Sequence, residues 1–394
     1  MIKRVTLDNY KSCHQASLDD IGAFTVLVGR NGAGKSNILQ AINWLARIAT
    51  SASQVQFFQL EEYSAAIEFE SGGRRNRYAA RVSWSRPANE PEFEETWSQH
   101  TGSDWQDLVS RRNTKITVSR RPEEIRVAAL TPCLMAVKSL LPDNDELLAA
   151  LSPVLSFLES VRYYPMDESV ATRDDQGGGS FVIANSAYVA WLNESTSRGR
   201  SRDDVHLKLL HMWLTDQQKF KEFTDLLGPQ GLGLIDDVHI EKYQPPQPSQ
   251  VAKGDPPNHF YFTQFLPAGS RPPTMLPYSG LSHGTRRILR IVLAVVFDQS
   301  SVMLLEHPED GIHPGLLHKL MSVLQSYSDP LQTIAASHSP EVFNSVNPGD
   351  IRLVSMTEDG TKARALSGHE ISMARKYMSE EGVFSDFLNS LQGQ

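Results

Sequence analysis

The chain has 394 residues, 40% of them hydrophobic, which is enough to bury a full core and suggests two or three domains. Its formal net charge of −8 excludes attraction to DNA by bulk electrostatics, so any contact with nucleic acid must be local. Its two cysteines, Cys13 and Cys133, provide no disulfide framework and favour a reducing cytoplasm. The start of the chain lacks a signal-peptide pattern, and the longest apolar run, residues 291–297, is too short for a bilayer, so we expect a soluble protein without a membrane partner.

The opening of the chain reads as β structure. Residues 2–7 alternate as a strand, and a second strand is expected before residue 24. Residues 63–70 and 77–84 read as the two strands of a hairpin, joined by a turn at residues 71–73. These patterns predict an antiparallel β subdomain.

A glycine-rich stretch lies between a strand pattern at residues 24–28 and a helical pattern at residues 37–48. Its glycines can take positive φ and let backbone N–H groups close around phosphate oxygens. Lys35 would then reach the β- and γ-phosphates, and Ser36 would give its hydroxyl to Mg²⁺. The pattern Gly-x4-Gly-Lys-Ser with these flanks is a P-loop and predicts nucleotide binding. The predicted contacts are Gly29, Arg30, Asn31, Gly32, Ala33, Gly34, Lys35, Ser36 and Asn37.

The middle of the chain has a helical pattern. Leucines recur at helical spacing from Leu140 to Leu158, and a second helical stretch covers residues 186–227. A glycine-rich break at residues 174–180 lacks the Lys-Ser of a second P-loop and predicts a loop. A proline-rich return follows, with one strand expected at residues 259–265.

The last third carries further candidate site residues. A small-residue turn precedes a helix at residues 286–297, where Ser282 either faces an anion or simply caps the helix. A short buried strand, residues 302–305, leads to Glu306, in the place of a carboxylate that holds nucleotide-bound Mg²⁺. A strand at residues 332–336 leads to His338 at the same edge of the sheet, with Ser339 as a helix N-cap. A closing hairpin and helices at residues 371–391 are expected after it.

A different site is suggested by four residues that lie close in sequence, Glu306, His307, Glu309 and His313. We disfavour a dedicated metal centre made of these four, because Pro308 and the passage from strand to loop would splay their side chains.

The order of these motifs resembles the ABC-type ATPase heads of the RecF, SMC and OLD (overcoming lysogenization defect) group. The likeness runs from an opening at residues 8–12 to the Ser-His-Ser-Pro run at residues 337–340. It implies a homodimer that sandwiches two ATP molecules, with Lys35 and Ser36 of one subunit facing the same nucleotide as Ser282 and Gly284 of the other. It also implies that His338 senses the γ-phosphate. Candidates for the group's Q-loop glutamine are Gln54, Gln56 and Gln59, none of which stands out.

This resemblance implies an α/β fold, a P-loop ABC-type ATPase head with an antiparallel β subdomain and a helical insertion. We expect three parts: an N-terminal ATPase lobe at residues 1–126, a mainly helical insertion with a proline-rich return at residues 127–258, and a C-terminal ATPase lobe at residues 259–394.

One position departs from the group, which usually has two acidic residues at the strand end, one for Mg²⁺ and one that polarises water. Here the second position is His307. A histidine either acts as a base near neutral pH or leaves a site that binds ATP firmly and turns it over slowly. We expect a slow ATPase or an ATP-gated switch, with Glu306, His307 and His338 as its catalytic residues and Ser36 and Glu306 on Mg²⁺.

The sequence leaves more than one biological role open. Stand-alone heads of this kind resemble the ATPase subunits of bacterial anti-phage and toxin-like operons, and we favour a head that gates a separate effector chain. OLD-type nucleases carry a Toprim domain after the ATPase, and too few residues follow His338 for one here, so a nuclease is expected on a partner. The alternative is a RecF-like DNA-repair ATPase, in which basic runs at residues 74–81 and 111–126 would face DNA rather than water. The long insert before Leu281 disfavours a transporter subunit.

Overall fold

The computed structural model describes residues 1–51, 62–85, 90–122, 124–128, 131–165, 182–198, 204–244 and 259–392. The strands are β1 (Ile2–Asp8), β2 (Ala16–Leu18), β3 (Phe24–Val28), β4 (Glu62–Ser71), β5 (Arg74–Ser85), β6 (Glu90–Thr101), β7 (Asp104–Arg112), β8 (Lys115–Val118), β9 (Ile125–Arg126), β10 (Val161–Tyr164), β11 (Val182–Ala184), β12 (Ile235–Tyr243), β13 (Phe260–Pro267), β14 (Val302–Glu306), β15 (Gln332–Ser337), β16 (Ile351–Thr357) and β17 (Gly360–Ala365). The helices are α1 (Lys35–Thr50), α2 (Cys133–Leu140), α3 (Glu146–Glu159), α4 (Asn185–Arg198), α5 (Val205–Thr215), α6 (Gln217–Leu227), α7 (His283–Phe297), α8 (Pro314–Ser326), α9 (Pro340–Phe343), α10 (Gly368–Glu380) and α11 (Phe384–Gln392). Within these ranges no helix combines the length and the apolar character needed to cross a membrane.

The chain forms two compact units. The first comprises Met1–Pro165, Ser300–Pro308 and Leu324–Gln394, and the second comprises Met166–Gln299 and Glu309–Val323. The division of the sequence into three parts at residues 126 and 258 stays a prediction. The three Q-loop candidates, the glycine-rich break and most prolines of the return segment lie outside the described residues.

A six-stranded sheet in the first unit has the order β10-β14-β15-β3-β16-β17, and only its last pair is antiparallel. β3, β14 and β15 are buried along their whole length, as expected for parallel strands covered on both faces. Their register places Glu306 opposite Ala336 and Ser337 opposite Val28. The carboxyl ends of the three strands therefore meet at one edge, as their order in the sequence predicts.

The edge strand β10 was not predicted from the sequence. Residues 127–258 were expected to be mainly helical, and α2 to α6 confirm the helices, but Val161–Tyr164 pairs in parallel with β14 of the ATPase sheet. β11 and β12 were also missed, and they flank the expected strand β13 in a three-stranded sheet of the second unit. β10 is only four residues long and follows α3 after Ser160, so periodicity could not distinguish it from the helix.

The second sheet of the first unit is antiparallel, with the order β2-β1-β4-β5-β6-β7-β8-β9. The predicted hairpin is confirmed as β4 and β5, and both turn glycines, Gly72 and Gly73, have positive φ (58° and 71°), as a tight hairpin turn requires. Helix α1 contacts strands of both sheets through a fully buried face that includes Ile38, Leu39 and Ile42. This helix therefore joins the two sheets in one core.

The basic run at residues 111–126 contains a residue that cannot face DNA. Arg111 is buried, and its guanidinium donates to a carboxylate oxygen of Glu95 at 2.8 Å and to the carbonyl oxygen of Thr131 at 2.6 Å. The Tyr78 hydroxyl donates to the same carboxylate. The reading of Arg111 as part of a DNA-facing or solvated surface is therefore wrong, and the residue belongs to the core of the antiparallel sheet.

Arg111→Met is expected to lower the free energy of unfolding by about 3–5 kcal/mol, because it leaves the buried Glu95 carboxylate without its counter-charge. Arg112→Met is the matched control. The Arg112 side chain is 73% exposed and lies 3.4 Å from Glu94, so its loss should change the free energy by less than about 1 kcal/mol. Denaturant unfolding followed by tryptophan fluorescence measures both. Equal stability of the two variants would contradict the burial of this ion pair.

Candidate functional site

The loop after β3 has the backbone geometry of a phosphate cradle. Gly32 and Gly34 take positive φ, 79° and 101°. A Cβ atom on Gly34 would lie 2.1 Å from the Thr361 hydroxyl oxygen, and one on Gly29 would lie 2.0 Å from the carbonyl oxygen of Val354. Gly32 and Gly34 therefore require glycine for their backbone conformation, and Gly29 and Gly34 require it because neighbouring atoms approach closely.

The N-terminus of α1 opens onto this loop. Within the described residues no side chain caps the helix, and its first turn contains no acidic residue. The first N–H groups and the positive end of the helix dipole are thus available to an anion. The buried Lys35 ammonium donates to the carbonyl oxygens of Gly29 at 2.8 Å and Arg30 at 3.0 Å, so it already reaches across the loop.

The remaining predicted P-loop contacts differ in their surroundings. Arg30, Asn31 and Gly32 are exposed, whereas Ala33 is buried. Ser36 is half-buried in the first turn of α1. Asn37 donates to the Ser12 hydroxyl at 2.8 Å, and Ser12 is in turn 2.8 Å from the Thr361 hydroxyl. Asn37 therefore connects α1 to the segment at residues 8–12.

Glu306 ends β14 and is 8% exposed. The Tyr163 hydroxyl, from β10, hydrogen-bonds this carboxylate and accepts a hydrogen bond from the Gln40 amide at 3.2 Å. The Lys11 ammonium donates to the other end of the Gln40 amide. A chain of polar contacts therefore runs from Lys11 through Gln40 and Tyr163 to Glu306.

Lys11 and Tyr163 have shifted pKa values, mainly because both side chains are partly buried. Burial is the largest influence on Lys11 and lowers its pKa, while the charge of Glu306 raises it. Burial also raises the pKa of Tyr163 well above its ordinary value, and the neighbouring Glu306 charge adds to the rise. The Tyr163 hydroxyl therefore stays protonated and can donate to the carboxylate. Tyr163 and Gln40 were not predicted as site residues, because their contacts near Glu306 depend on β10 pairing with β14.

The two predicted histidines lie together. His307 follows β14 and His338 follows β15, and the backbone N–H of His307 donates to the carbonyl oxygen of Ala336 at 2.9 Å. The Nδ1 atoms of the two rings are 3.3 Å apart. His307 has a φ of 45°, a left-handed conformation that is uncommon outside glycine and clusters at functional sites.

Ser282 and Gly284 belong to the second unit. Ser282 is the N-cap of α7, and its hydroxyl oxygen accepts from the backbone N–H of Thr285 at 3.2 Å, so the capping role considered from the sequence is confirmed. A Cβ atom on Gly284 would lie 2.2 Å from the carbonyl oxygen of Gly311, which explains the glycine locally. The contact of both residues with a nucleotide on another subunit stays a prediction.

The chain is similar to a known protein family and to a solved structure. The family AAA_21, described as "AAA domain, putative AbiEii toxin, Type IV TA system", matches residues 24–344. The crystal structure of an Smc head bound to the C-winged helix domain of ScpA aligns with a TM-score of 0.53 at 13% identity, covering 94% of this chain and 99% of that chain.

Two proteins of Methanocaldococcus jannaschii match locally. The uncharacterized protein MJECL44 is 46% identical over 43 residues, which is 11% of this chain and 13% of that protein. The chromosome partition protein Smc is 37% identical over 73 residues, which is 18% of this chain and 6% of that protein. The chain thus spans only a small share of these relatives.

The alignment with the Smc head over nearly the whole of both chains confirms the predicted α/β fold with a P-loop and an antiparallel sheet. The family match extends from β3, which leads into the P-loop, past His338. The chain therefore belongs to the AAA_21 family and has the fold of an ABC-type ATPase head of the RecF/SMC group.

Proposed function

We propose that this chain binds ATP with Mg²⁺ between two copies of itself, hydrolyses it slowly, and uses the ATP-bound state to hold a separate effector chain in bacterial anti-phage defence. The observation that carries the proposal is the P-loop, with its uncapped α1 N-terminus, at the same edge of one sheet as the buried Glu306. We further propose that the protein acts in the cytoplasm.

The residues present fit a nucleoside triphosphate and its metal. The N–H groups of the loop and the Lys35 ammonium would bind phosphate oxygens, and Lys35 would exchange its bonds to the Gly29 and Arg30 carbonyls for them. The Ser36 hydroxyl and the Glu306 carboxylate supply oxygen ligands of the kind that Mg²⁺ prefers. Bound Mg²⁺ would neutralise charge on the phosphates.

The water-activating position distinguishes this chain from a fast ATPase. His307 has no carboxylate, and its Nδ1 atom faces that of His338 at 3.3 Å. A general base contributes about 10²–10⁴-fold to a rate when it is correctly placed and unprotonated. We infer that turnover is slow and that the ATP-bound dimer persists long enough to act as a signal.

Support for an effector partner comes from the comparisons. The description of the family names a toxin of type IV toxin–antitoxin systems. The aligned Smc head was solved with a domain of another protein, ScpA, bound to it. Both fit a head that acts on a separate chain.

The charges on the antiparallel sheet favour this reading over a DNA-repair ATPase. Several arginines and lysines of the two basic runs contact acids: Arg75 with Glu68, Arg81 with Glu62, Arg112 with Glu94, and Lys115 with Glu124. Phosphate binding relies on cations that are free to replace counterions. Paired cations make this face a weak DNA surface, and the RecF-like role stays the alternative.

His307→Glu is expected to raise ATP turnover at least about tenfold, because it supplies the missing carboxylate beside Glu306. His307→Gln is the matched control and should give no gain. Lys35→Ala should abolish turnover. Phosphate release with Mg²⁺ is measured for the wild type and the four variants. Rapid wild-type turnover that survives His307→Ala unchanged would contradict the proposed role of this position.

Tyr163→Phe is expected to weaken the apparent affinity for Mg²⁺ about tenfold in the turnover assay, because the Glu306 carboxylate loses a hydrogen bond that orients it. Tyr243→Phe is the control, since Tyr243 is 49% exposed. Titration of Mg²⁺ at saturating ATP makes the measurement. An unchanged Mg²⁺ dependence in Tyr163→Phe would contradict the positioning role.

The partner is tested with the product of the adjacent gene, co-expressed with this chain. We expect it to co-purify in the presence of a non-hydrolysable ATP analogue and to be lost with Lys35→Ala. Duplex DNA should neither accelerate turnover nor bind with a steep salt dependence. DNA-stimulated turnover without co-purification would favour the repair role instead.

A further inference from the structure

The His307 and His338 rings are in contact through their Nδ1 atoms, at the long end of hydrogen-bond distances. Their Nδ1 atoms are 3.3 Å apart, their ring centroids are 5.1 Å apart, and their planes are inclined by 72°. An N–H···O hydrogen bond is usually about 2.9–3.0 Å long. A linear N–H···N contact of 3.3 Å would separate the ring centroids by about 5.6 Å, since each nitrogen lies about 1.15 Å from its ring centre. The observed contact is therefore both long and bent.

The same distances fit two ligands of one metal ion. Zn²⁺ binds imidazole nitrogen at about 2.0–2.1 Å, so two nitrogens of a tetrahedral site are about 3.3–3.4 Å apart. If the two centroid-to-Nδ1 axes converge on one point, the distances of 3.3 Å and 5.1 Å place that point about 2.1 Å from each nitrogen. The pair is thus spaced as one edge of a zinc coordination tetrahedron.

The pair needs either a shared proton or a metal ion between its two Nδ1 atoms. Two neutral imidazoles whose Nδ1 lone pairs face each other repel unless a proton or a metal ion lies between them. His338 is exposed and His307 is half-buried, so water has access to complete a coordination shell. Imidazole suits Zn²⁺ and its late first-row neighbours, whereas Mg²⁺ takes oxygen ligands.

We propose that His307 and His338 form a binding site for Zn²⁺ or a similar late first-row divalent cation, separate from the Mg²⁺ that accompanies ATP. The site shares His307 with the sequence cluster of Glu306, His307, Glu309 and His313, but its second ligand, His338, follows the next strand of the sheet, 31 residues along the chain. The spacing of the two nitrogens supports metal binding without reference to ATP. The consequence for turnover rests on the proposed function: a metal held there would occupy His338, expected to sense the γ-phosphate, and His307, at the water-activating position, and would slow hydrolysis.

The experiment is equilibrium dialysis of the chelator-stripped full-length protein against micromolar Zn²⁺, with excess Mg²⁺ and no nucleotide. We expect about one Zn²⁺ per chain. His307→Ala and His338→Ala should each weaken binding at least tenfold. His369→Ala is the control, since His369 is exposed on α10, outside the pair, and it should bind as the wild type does. Absence of saturable binding, or unchanged affinity in both alanine variants, would overturn the proposal.

A further variant separates this proposal from the ATPase proposal. Lys35→Ala should keep its Zn²⁺ binding although it loses turnover. Wild-type turnover should fall on addition of Zn²⁺ and recover on chelation. Zinc binding without any wild-type turnover would overturn the proposed ATPase and leave the metal site in place, whereas turnover without zinc binding would do the reverse.

Discussion

The parallel register of β3, β14 and β15 is the constraint on which the site depends. All three strands are buried along their length, so their polar side chains can reach a ligand only where the strands end. β3 ends at the P-loop, β14 ends in Glu306 and β15 ends before His338. Because Glu306 is opposite Ala336 and Ser337 is opposite Val28, these ends meet at one edge. The hydrogen bond of the His307 N–H to the Ala336 carbonyl follows from this register, and the contact of Glu306 with Tyr163 follows from the pairing of β10 with β14.

The carboxylate and the histidine that follow one another at the end of β14 lie in different surroundings. Glu306 is held through Tyr163 by a chain of contacts that reaches back to Lys11. His307 has a left-handed backbone, which costs roughly 1–3 kcal/mol, and faces a second imidazole. The first arrangement suits the proposed Mg²⁺ ligand, while the second lacks the carboxylate that would polarise water. This contrast is the basis for proposing firm nucleotide binding with slow turnover.

Much of the fold and part of the site could be predicted from local sequence. The glycine spacing predicted the P-loop, and the turn glycines predicted the hairpin of β4 and β5. A short apolar run ending in an acidic residue predicted β14 and the place of Glu306. The expectations that failed depended on distant partners. β10 follows α3 so closely in sequence that it was not predicted, and Tyr163 was missed with it. Arg111 was taken for a surface residue because its partner Glu95 is on a neighbouring strand. The placement of His338 at the same edge as Glu306 was predicted from the sequence, whereas its 3.3 Å contact with His307 was not.

The most direct test of the central claim, a nucleotide shared between two copies, is complementation between two inactive variants. Lys35→Ala removes the P-loop contact, and Ser282→Asp keeps the N-cap of α7 while it places a negative charge where phosphate is expected. Each variant alone should be inactive. Their mixture should regain about a quarter of wild-type turnover, since half of randomly mixed dimers contain one intact site of two. A mixture as inactive as its components would contradict the shared site.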